Sequence, residues 1–533
     1  MTEPSTSSAW APFRNKTFRV LWLAQFVSNV GTWMQSVGAV WVMLQLRASP
    51  TFVALVVTAS SLPVVFFGIV GGALADLVDR RRLLLVAQTL MLLAASALAI
   101  LDVSGRVTST SLLAITFLLG VGTALNGPAW QAIQPELVPH EQFPQAVTLG
   151  GASINLGRAL GPALAGVILA VSGAWLVFLL NALSFGAVVL ALAVWRREAA
   201  ETAGPPEHFV GAVRAGIRFA FFSRELMVVL IRAGAFSVTS AGLMALAPVY
   251  ATGVLHLGSG GLGFLLGGFG VGAVSAAGLL PKIRKRMGGD VVVTVGSLGV
   301  AAALLGLAAT RSVPLALGTV VVAGAAWLLC LSTFNVASQE ALPAWVRARG
   351  LAMYLTVFMG GVAIGSAAWG SLASSVGIPA AFAWGALAVA MTTPLALGWR
   401  LRWIDEVDLS TSPMHAPELR VMPEESNGPA FVMIGYDVLP QMEEPFQVAL
   451  RRVGRARRRT GAVRWSVYRD ADQPQRFVET FVVPSWGEHM RQHGRRTAAD
   501  ASLQEDLRAF LRTDADPTVT HLVAPIHTGH ANG

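Results

Sequence analysis

The 533-residue chain is 54% hydrophobic and 13% charged, against about 25% charged in an ordinary soluble domain. A mean hydropathy of +0.59 makes the bilayer the simplest solvent for so much apolar surface. The formal charge of +9 does not mark a nucleic-acid binder, because the basic residues cluster at the ends of apolar segments; the lone Cys330 excludes an intrachain disulfide or a CxxC metal pair.

Met1 to Pro12 is a polar tail rich in Ser, Thr and Pro, expected to be disordered. The apolar stretch from Phe18 to about Leu46 is too long for a signal-peptide core and shows no A-x-A-like cleavage site, so it reads as a first retained span. Further segments long enough to cross about 30 Å predict spans at 51–75, 83–101, 108–133, 145–171, 174–195, 226–253, 260–281, 290–309, 313–341, 349–375 and 378–400. The short connections at 172–173 and 376–377 leave open merged helices there.

One set of loops carries Arg14, Lys16 and Arg19, then Arg80 to Arg82, Arg196 and Arg197, Lys282 to Arg286, Arg347 and Arg349, and Arg400 and Arg402. The alternate loops carry only Arg47, Arg106 and Arg311. This bias predicts a multi-pass protein of a bacterial-type inner membrane with an even number of spans and both termini cytoplasmic. The loop 196–225 divides the spans into halves at 18–195 and 226–403. Its segment from Phe209, with Arg214 and Arg218 four apart, predicts an amphipathic helix lying on the membrane surface. An offset of 208 superposes Ala129 on Ala337, Gln131 on Gln339, Pro135 on Pro343 and Gly157 on Gly365, the mark of two parallel repeats.

Residues 404–428 are rich in Pro, Ser and Glu and read as a linker. From 429 to about 526 the pattern is soluble. Strand-like runs at Phe431, Ala462 to Tyr468, Arg476 to Val483 and Thr518 to Ala524 alternate with helical stretches at Glu443 to Thr460 and Trp486 to Leu511. The order βαββαβ predicts a ferredoxin-like α+β domain. His489 and His493 lie four apart; they read either as ligands or chemistry, or as exposed helix residues, and no third ligand is evident. Arg451, Arg452, Arg455 and Arg457 to Arg459 form a basic face expected to meet anionic lipid.

Within the spans, Gln25, Asn29, Thr32 and Ser36 form one polar stripe beside Trp33. Asn126 and Gln131 close the fourth span, and Asn335 and Gln339 the tenth. These groups read either as a cavity wall or as interhelical hydrogen bonds. Arg158 and Arg232 fall inside spans; each reads either as a functional intramembrane charge or as an arginine reaching the interface. No acid falls near a span centre: Asp76, Glu136, Asp290 and Glu340 lie at one set of ends and Asp102 at the other. There is no GxxxxGK[ST] nucleotide loop and no cofactor motif.

Gly72-Ala-Leu-Ala-Asp76-Leu-Val-Asp79-Arg80-Arg81-Arg82 resembles the loop signature of the major facilitator superfamily, G-x-x-x-D-[RK]-x-G-[RK]-[RK], departing at Leu77 and Asp79. Gly157-Arg158-Ala-Leu-Gly161-Pro162-Ala-Leu-Ala-Gly166 resembles its exporter signature, with the spacing after proline off by one. With Gly31-Thr-Trp-Met-Gln35 and Asn126-Gly-Pro-Ala-Trp-Gln, the match is similar to the enterobactin-exporter-like group, the transmembrane secretion effectors, over about residues 10–400. The resemblance implies a twelve-helix fold of two six-helix halves, with spans one, four, seven and ten lining a central cavity. It implies efflux of a siderophore, antibiotic or other amphipathic secondary metabolite by alternating access, with an importer, a lipid flippase of the same fold and a membrane-anchored enzyme as alternatives. It implies a latch in which Asp76 meets the helix beginning near Arg349 and Arg80 or Arg81 meets Glu136. Proton coupling follows from the resemblance alone; the substrate's charge or the membrane potential could serve instead. Arg464-Trp-Ser-Val-Tyr-Arg-Asp and Ser485-Trp-Gly-Glu-His-Met-Arg-Gln-His resemble the antibiotic-biosynthesis monooxygenase type of domain, which pairs as dimers; the tail shows no convincing catalytic set and is expected to regulate or dimerise.

Overall fold

Helix ends in the computed structural model follow local chemistry. Asn15 caps α1 (Lys16–Gln45) by accepting the Thr17 and Phe18 N–H groups at 2.9 and 3.3 Å. Pro50 opens α2 (Pro50–Leu77), where its missing N–H is harmless. Asp79, the departure from the loop signature, caps α3 (Arg80–Val103) through the Arg82 N–H. Thr108 and Ser111 form a capping box at the start of α4 (Ser109–Leu137). Next come α5 (Phe143–Ser172) and α6 (Ala174–Val194). The structure describes residues 10–195, 209–401, 408, 410, 412, 414, 423, 424, 426–512 and 517–524. The side chain of Asp76, most of the linker, the extreme N-terminal tail and residues 196–208 of the central loop lie outside the described residues.

After the short α7 (Phe209–Phe222) come α8 (Arg224–Gly253), α9 (Ser259–Arg286), α10 (Gly289–Ala309), α11 (Val313–Glu340), α12 (Arg347–Val376), α13 (Ile378–Ala390) and α14 (Leu395–Gly398). The last span is broken at Met391–Pro394, where proline disfavours helical backbone in the residue before it. Among the described residues eleven helical segments are long and apolar enough to cross a membrane, Ile378–Gly398 among them. The twelfth, α1, has 30 residues, and its Gln25–Ser36 stripe lowers its hydropathy. The two short connections do not merge helices. Gly173 and Gly377 turn the chain at φ +87° and +85°, a backbone conformation that glycine adopts without steric cost.

The chain forms two compact units, one of them comprising the chain up to Pro206 with Leu230–Asn335 and Ala352–Leu401. In this unit the packing is that of a membrane protein. Phe66, Leu93, Val171, Leu190 and Phe264 stand exposed, as lipid permits. Small residues admit neighbouring backbones: a Cβ on Gly71 would stand 2.8 Å from the Ala124 carbonyl. Cys330 is a buried filler, its sulfur facing Ser297 and the Val293 carbonyl.

In the second unit, Glu207–Val229, Val336–Leu351 and Arg402–Gly533, the tail builds β1 (Ala430–Asp437), α15 (Glu443–Thr460), β2 (Arg464–Arg469), β3 (Arg476–Val483), α16 (Trp486–Gly494), α17 (Ala498–Arg508) and β4 (Thr518–Val523). The sheet order is β2-β3-β1-β4, antiparallel throughout, which is the ferredoxin-like arrangement expected from the element order. The alternation along β1 sends Val432, Ile434 and Tyr436 into a core with Phe446, Leu450, Phe477 and Phe481.

The expectation that α7 lies on the membrane surface is overturned in part. Phe219 and Ala220 are buried, α7 packs on α15, and Phe219 meets Trp345 edge-on. Arg218 donates to Glu488 at 3.1 Å. The basic face is likewise divided. Arg457 pairs with the buried Glu479, Arg458 lies over Phe222 and Trp465, and Arg459 pairs with Asp500 and lies over Phe219. Arg451, Arg452 and Arg455 remain exposed. His489 is not an exposed helix residue: it is 1% exposed, stacked among Trp486, His493 and His521. Among the described residues no group of three or more His, Cys, Asp or Glu side chains is placed to hold a metal ion.

Candidate functional site

Three mid-helix residues meet near the centre of the first unit. Arg158 of α5 stacks its guanidinium over Trp33 of α1 at 5.1 Å and over Trp327 of α11 at 5.4 Å. Trp327 packs in turn on the buried Phe269 of α9 and Phe358 of α12, and Phe358 on the buried Tyr354. Gln25 donates to Asn29 at 3.1 Å, and Asn29 donates to Ser153 on α5 at 2.8 Å. The polar stripe of α1 therefore runs along α5 into the aromatic centre.

The exporter-like segment is what lets α5 reach this position. A Cβ on Gly157 would stand 3.0 Å from the Asn29 carbonyl carbon, and one on Gly161 would stand 2.4 Å from the Trp33 Cβ. Gly166 serves the opposite neighbour: its Cβ would stand 2.8 Å from the Gly263 Cα of α9. Glycine at these positions seats α1 on one side and α9 on the other. Pro162 lies inside α5 and removes the N–H that would otherwise satisfy the Arg158 carbonyl.

The two halves touch unevenly. Where α2 begins, the Thr51 N–H and hydroxyl reach the Ser374 Oγ at 3.2 and 2.8 Å, and a Cβ on Gly370 would stand 2.4 Å from the Ala54 Cβ. Further along, Thr58 donates to the Ala363 carbonyl at 2.9 Å. At Gly68 the nearest α12 atom is 4.0 Å away, and no described neighbour lies within 4 Å of a Cβ on Gly72. The α5–α9 pair follows the same gradient, from Gly166 against Gly263 to Gly151 and Gly278, where no described neighbour lies within 4 Å. Among the described residues, direct contacts between the halves gather toward the α1–α2 loop end and thin toward the α2–α3 loop end.

The residues of the expected latch separate. Arg80 donates to Glu136 at 2.8 Å and to the Ala132 carbonyl at 2.9 Å, both on α4. Arg81 instead donates to the Leu192 and Ala193 carbonyls at 2.7 and 2.8 Å, capping the negative end of α6. Gly71, not Gly72, lies against the α4 backbone. The Asp76 side chain lies outside the described residues, and Arg349 packs its stem against Gly216 of α7.

Of the other expected cavity residues, Asn126 accepts a hydrogen bond from Gln88 at 2.9 Å. Gln131 and Gln339 are exposed and Asn335 is half-buried. Arg232 is 3% exposed; it pairs with Asp290 of α10 and donates to the Trp399 carbonyl at 3.0 Å, a tie between helices and not a free charge. Reading the sequence missed Trp327, Phe269, Phe358, Tyr354 and Ser153. A lone tryptophan midway along the tenth span was the available signal.

Residues 7–528 match the family described as transmembrane secretion effector. The chain is 29% identical over 274 residues to a staphyloferrin A transporter of Staphylococcus aureus, covering 50% of this chain and 67% of that one. It is 26% identical over 378 residues to the multidrug efflux pump Tap of Mycolicibacterium fortuitum, covering 67% and 90%. A solved POT family transporter in complex with 5-aminolevulinic acid superposes with a TM-score of 0.61 at 13% identity, over 72% of this chain and 96% of that one, which is a likeness of fold. With this helical architecture and a match running nearly end to end, the chain belongs to the transmembrane secretion effectors of the major facilitator superfamily.

Proposed function

We propose that the protein exports amphipathic small molecules across the plasma membrane by alternating access. The observation that carries this reading is the uneven contact between the halves, joined at Thr51–Ser374 and with no described neighbour at Gly72, around a mid-helix centre of one arginine and several aromatics. The arginine-rich loops favour a cytoplasmic position for the α2–α3 loop end and both termini, which supports an inward-open conformation that loads from inside. The siderophore and drug cargoes of the two relatives favour secondary metabolites of that kind.

Arg80–Glu136 and Arg81 on α6 hold the cytoplasmic end of the first half as one body. Asp76 acts across to the second half when that end shuts. Arg451, Arg452 and Arg455 touch anionic lipid, and the tail regulates the transporter or pairs two copies of it. Proton coupling is separable from coupling to the membrane potential by collapsing each gradient in turn.

The test is accumulation in everted membrane vesicles. Vesicles with the wild-type chain take up secreted metabolites from a deletion strain's cytosol, and Asp76→Asn reduces uptake about tenfold or more while the protein remains in the membrane. Equal uptake with and without the chain rejects export; full uptake by Asp76→Asn rejects the latch.

A further inference from the structure

We propose that Arg158, Trp33 and Trp327 form an anion-binding site, and that the transported molecules bind there as organic anions bearing a carboxylate beside a flat apolar body. This rests on the transporter reading above and narrows its substrate class.

Arginine keeps its charge at every accessible pH. In the middle of a span such a charge is costly unless it is compensated. Arg232 has Asp290 for that purpose. Among the described residues Arg158 has no carboxylate partner, and its Nε is buried without a hydrogen bond. Two indole faces hold the cation through their quadrupoles but supply no negative charge. The guanidinium's planar fork of N–H donors is what a carboxylate engages with two parallel hydrogen bonds. A second, separate observation points the same way. Tyr354, at the far end of the aromatic run, is 1% exposed, and its hydroxyl has no partner among the described residues. Trp33 and Trp327, both half-buried, offer flat apolar ring faces beside the guanidinium. An inside-negative membrane drives an anion outward, so such a cargo needs no acid at a span centre.

The experiment is calorimetric titration of the full chain in lipid nanodiscs, with empty discs subtracted, using 1-naphthoate, its neutral analogue 1-naphthamide and the cation 1-naphthylmethylammonium. The wild type is expected to bind naphthoate about tenfold or more tighter than the amide, from one charge-assisted pair, and the ammonium weakest. Arg158→Gln removes that preference while still binding the amide. Arg158→Lys keeps its sign at reduced affinity, since an ammonium lacks the planar fork; it also carries the test if the glutamine variant does not fold. Trp327→Leu weakens acid and amide alike. Absence of saturable naphthoate binding, an amide bound as tightly as the acid, or a preference surviving in Arg158→Gln overturns the proposal. The same probes in proteoliposomes separate the two readings. Transport of the amide or ammonium without naphthoate leaves the transporter standing and removes the anion site; preferential binding of naphthoate with no probe moved leaves the site and counts against the transporter.

Discussion

Arg158 and Arg232 look alike in the sequence, each one cation inside an apolar run. They differ in what reaches them. Asp290 lies 58 residues beyond Arg232, while among the described residues Arg158 meets two indole rings and no carboxylate. Arg232→Gln strands Asp290 and should cost about 1–3 kcal/mol, read as a lower melting temperature with the surviving protein still transporting. The glycines of α5 make a second residue-scale case. Gly166→Val places a side chain against the Gly263 backbone, an overpacking of about 1–3 kcal/mol. It should force α5 from α9 and cut vesicle uptake. The exporter-like signature that holds Gly157, Gly161 and Gly166 was legible. That its members serve two different helices was not, because the sequence does not say which neighbour stands on each side.

At the scale of elements, α16 shows the same division. Ser485 accepts the Glu488 N–H and starts it, a cap made within one turn of chain. Burial of its His489 follows only from the sheet behind it. Burial first, and then the neighbouring His493 and His521, push His489 down to about 3. The unfolded chain takes up a proton near pH 6.5 that the folded domain refuses until about pH 3. Its contribution to stability is therefore full above about 6.5 and is lost as the pH falls through that window. Melting of the full chain at pH 7 and pH 5 should show this: His489→Leu should lose less of the tail's melting temperature than the wild type does, by about 4 °C or more. The helix α7 teaches the converse. Its amphipathic period was legible, but lipid and a protein surface are equally good partners for an apolar face, and α15 with Trp345 covers part of it.

At the scale of the whole molecule, opening and closing must break one set of inter-half contacts and make another. Thr51 and Ser374 lie at the end where the contacts gather. In a Cys330→Ser background, Thr51→Cys with Ser374→Cys joined by a short thiol-reactive linker should stop uptake, and a cleavable linker should restore it on reduction. Uptake by the linked protein would mean that this end never opens. The helices themselves were almost wholly readable, since spans in lipid are continuous apolar runs bounded by charge, and predicted and observed ends differ by a few residues. The ferredoxin-like tail was readable too, from strand alternation and the order of its elements.

The sequence by itself determined the solvent, the number of spans, the two-half repeat and the family, because each of these rests on local composition, charge order and motif spacing. Only the tertiary structure decided which arginine is tied to Asp290 and which is left among tryptophans, which glycine faces which helix, and toward which end of the bundle the contacts between the halves gather. Those are contacts between residues far apart in the chain, fixed by how the helices pack and not by what any one of them contains.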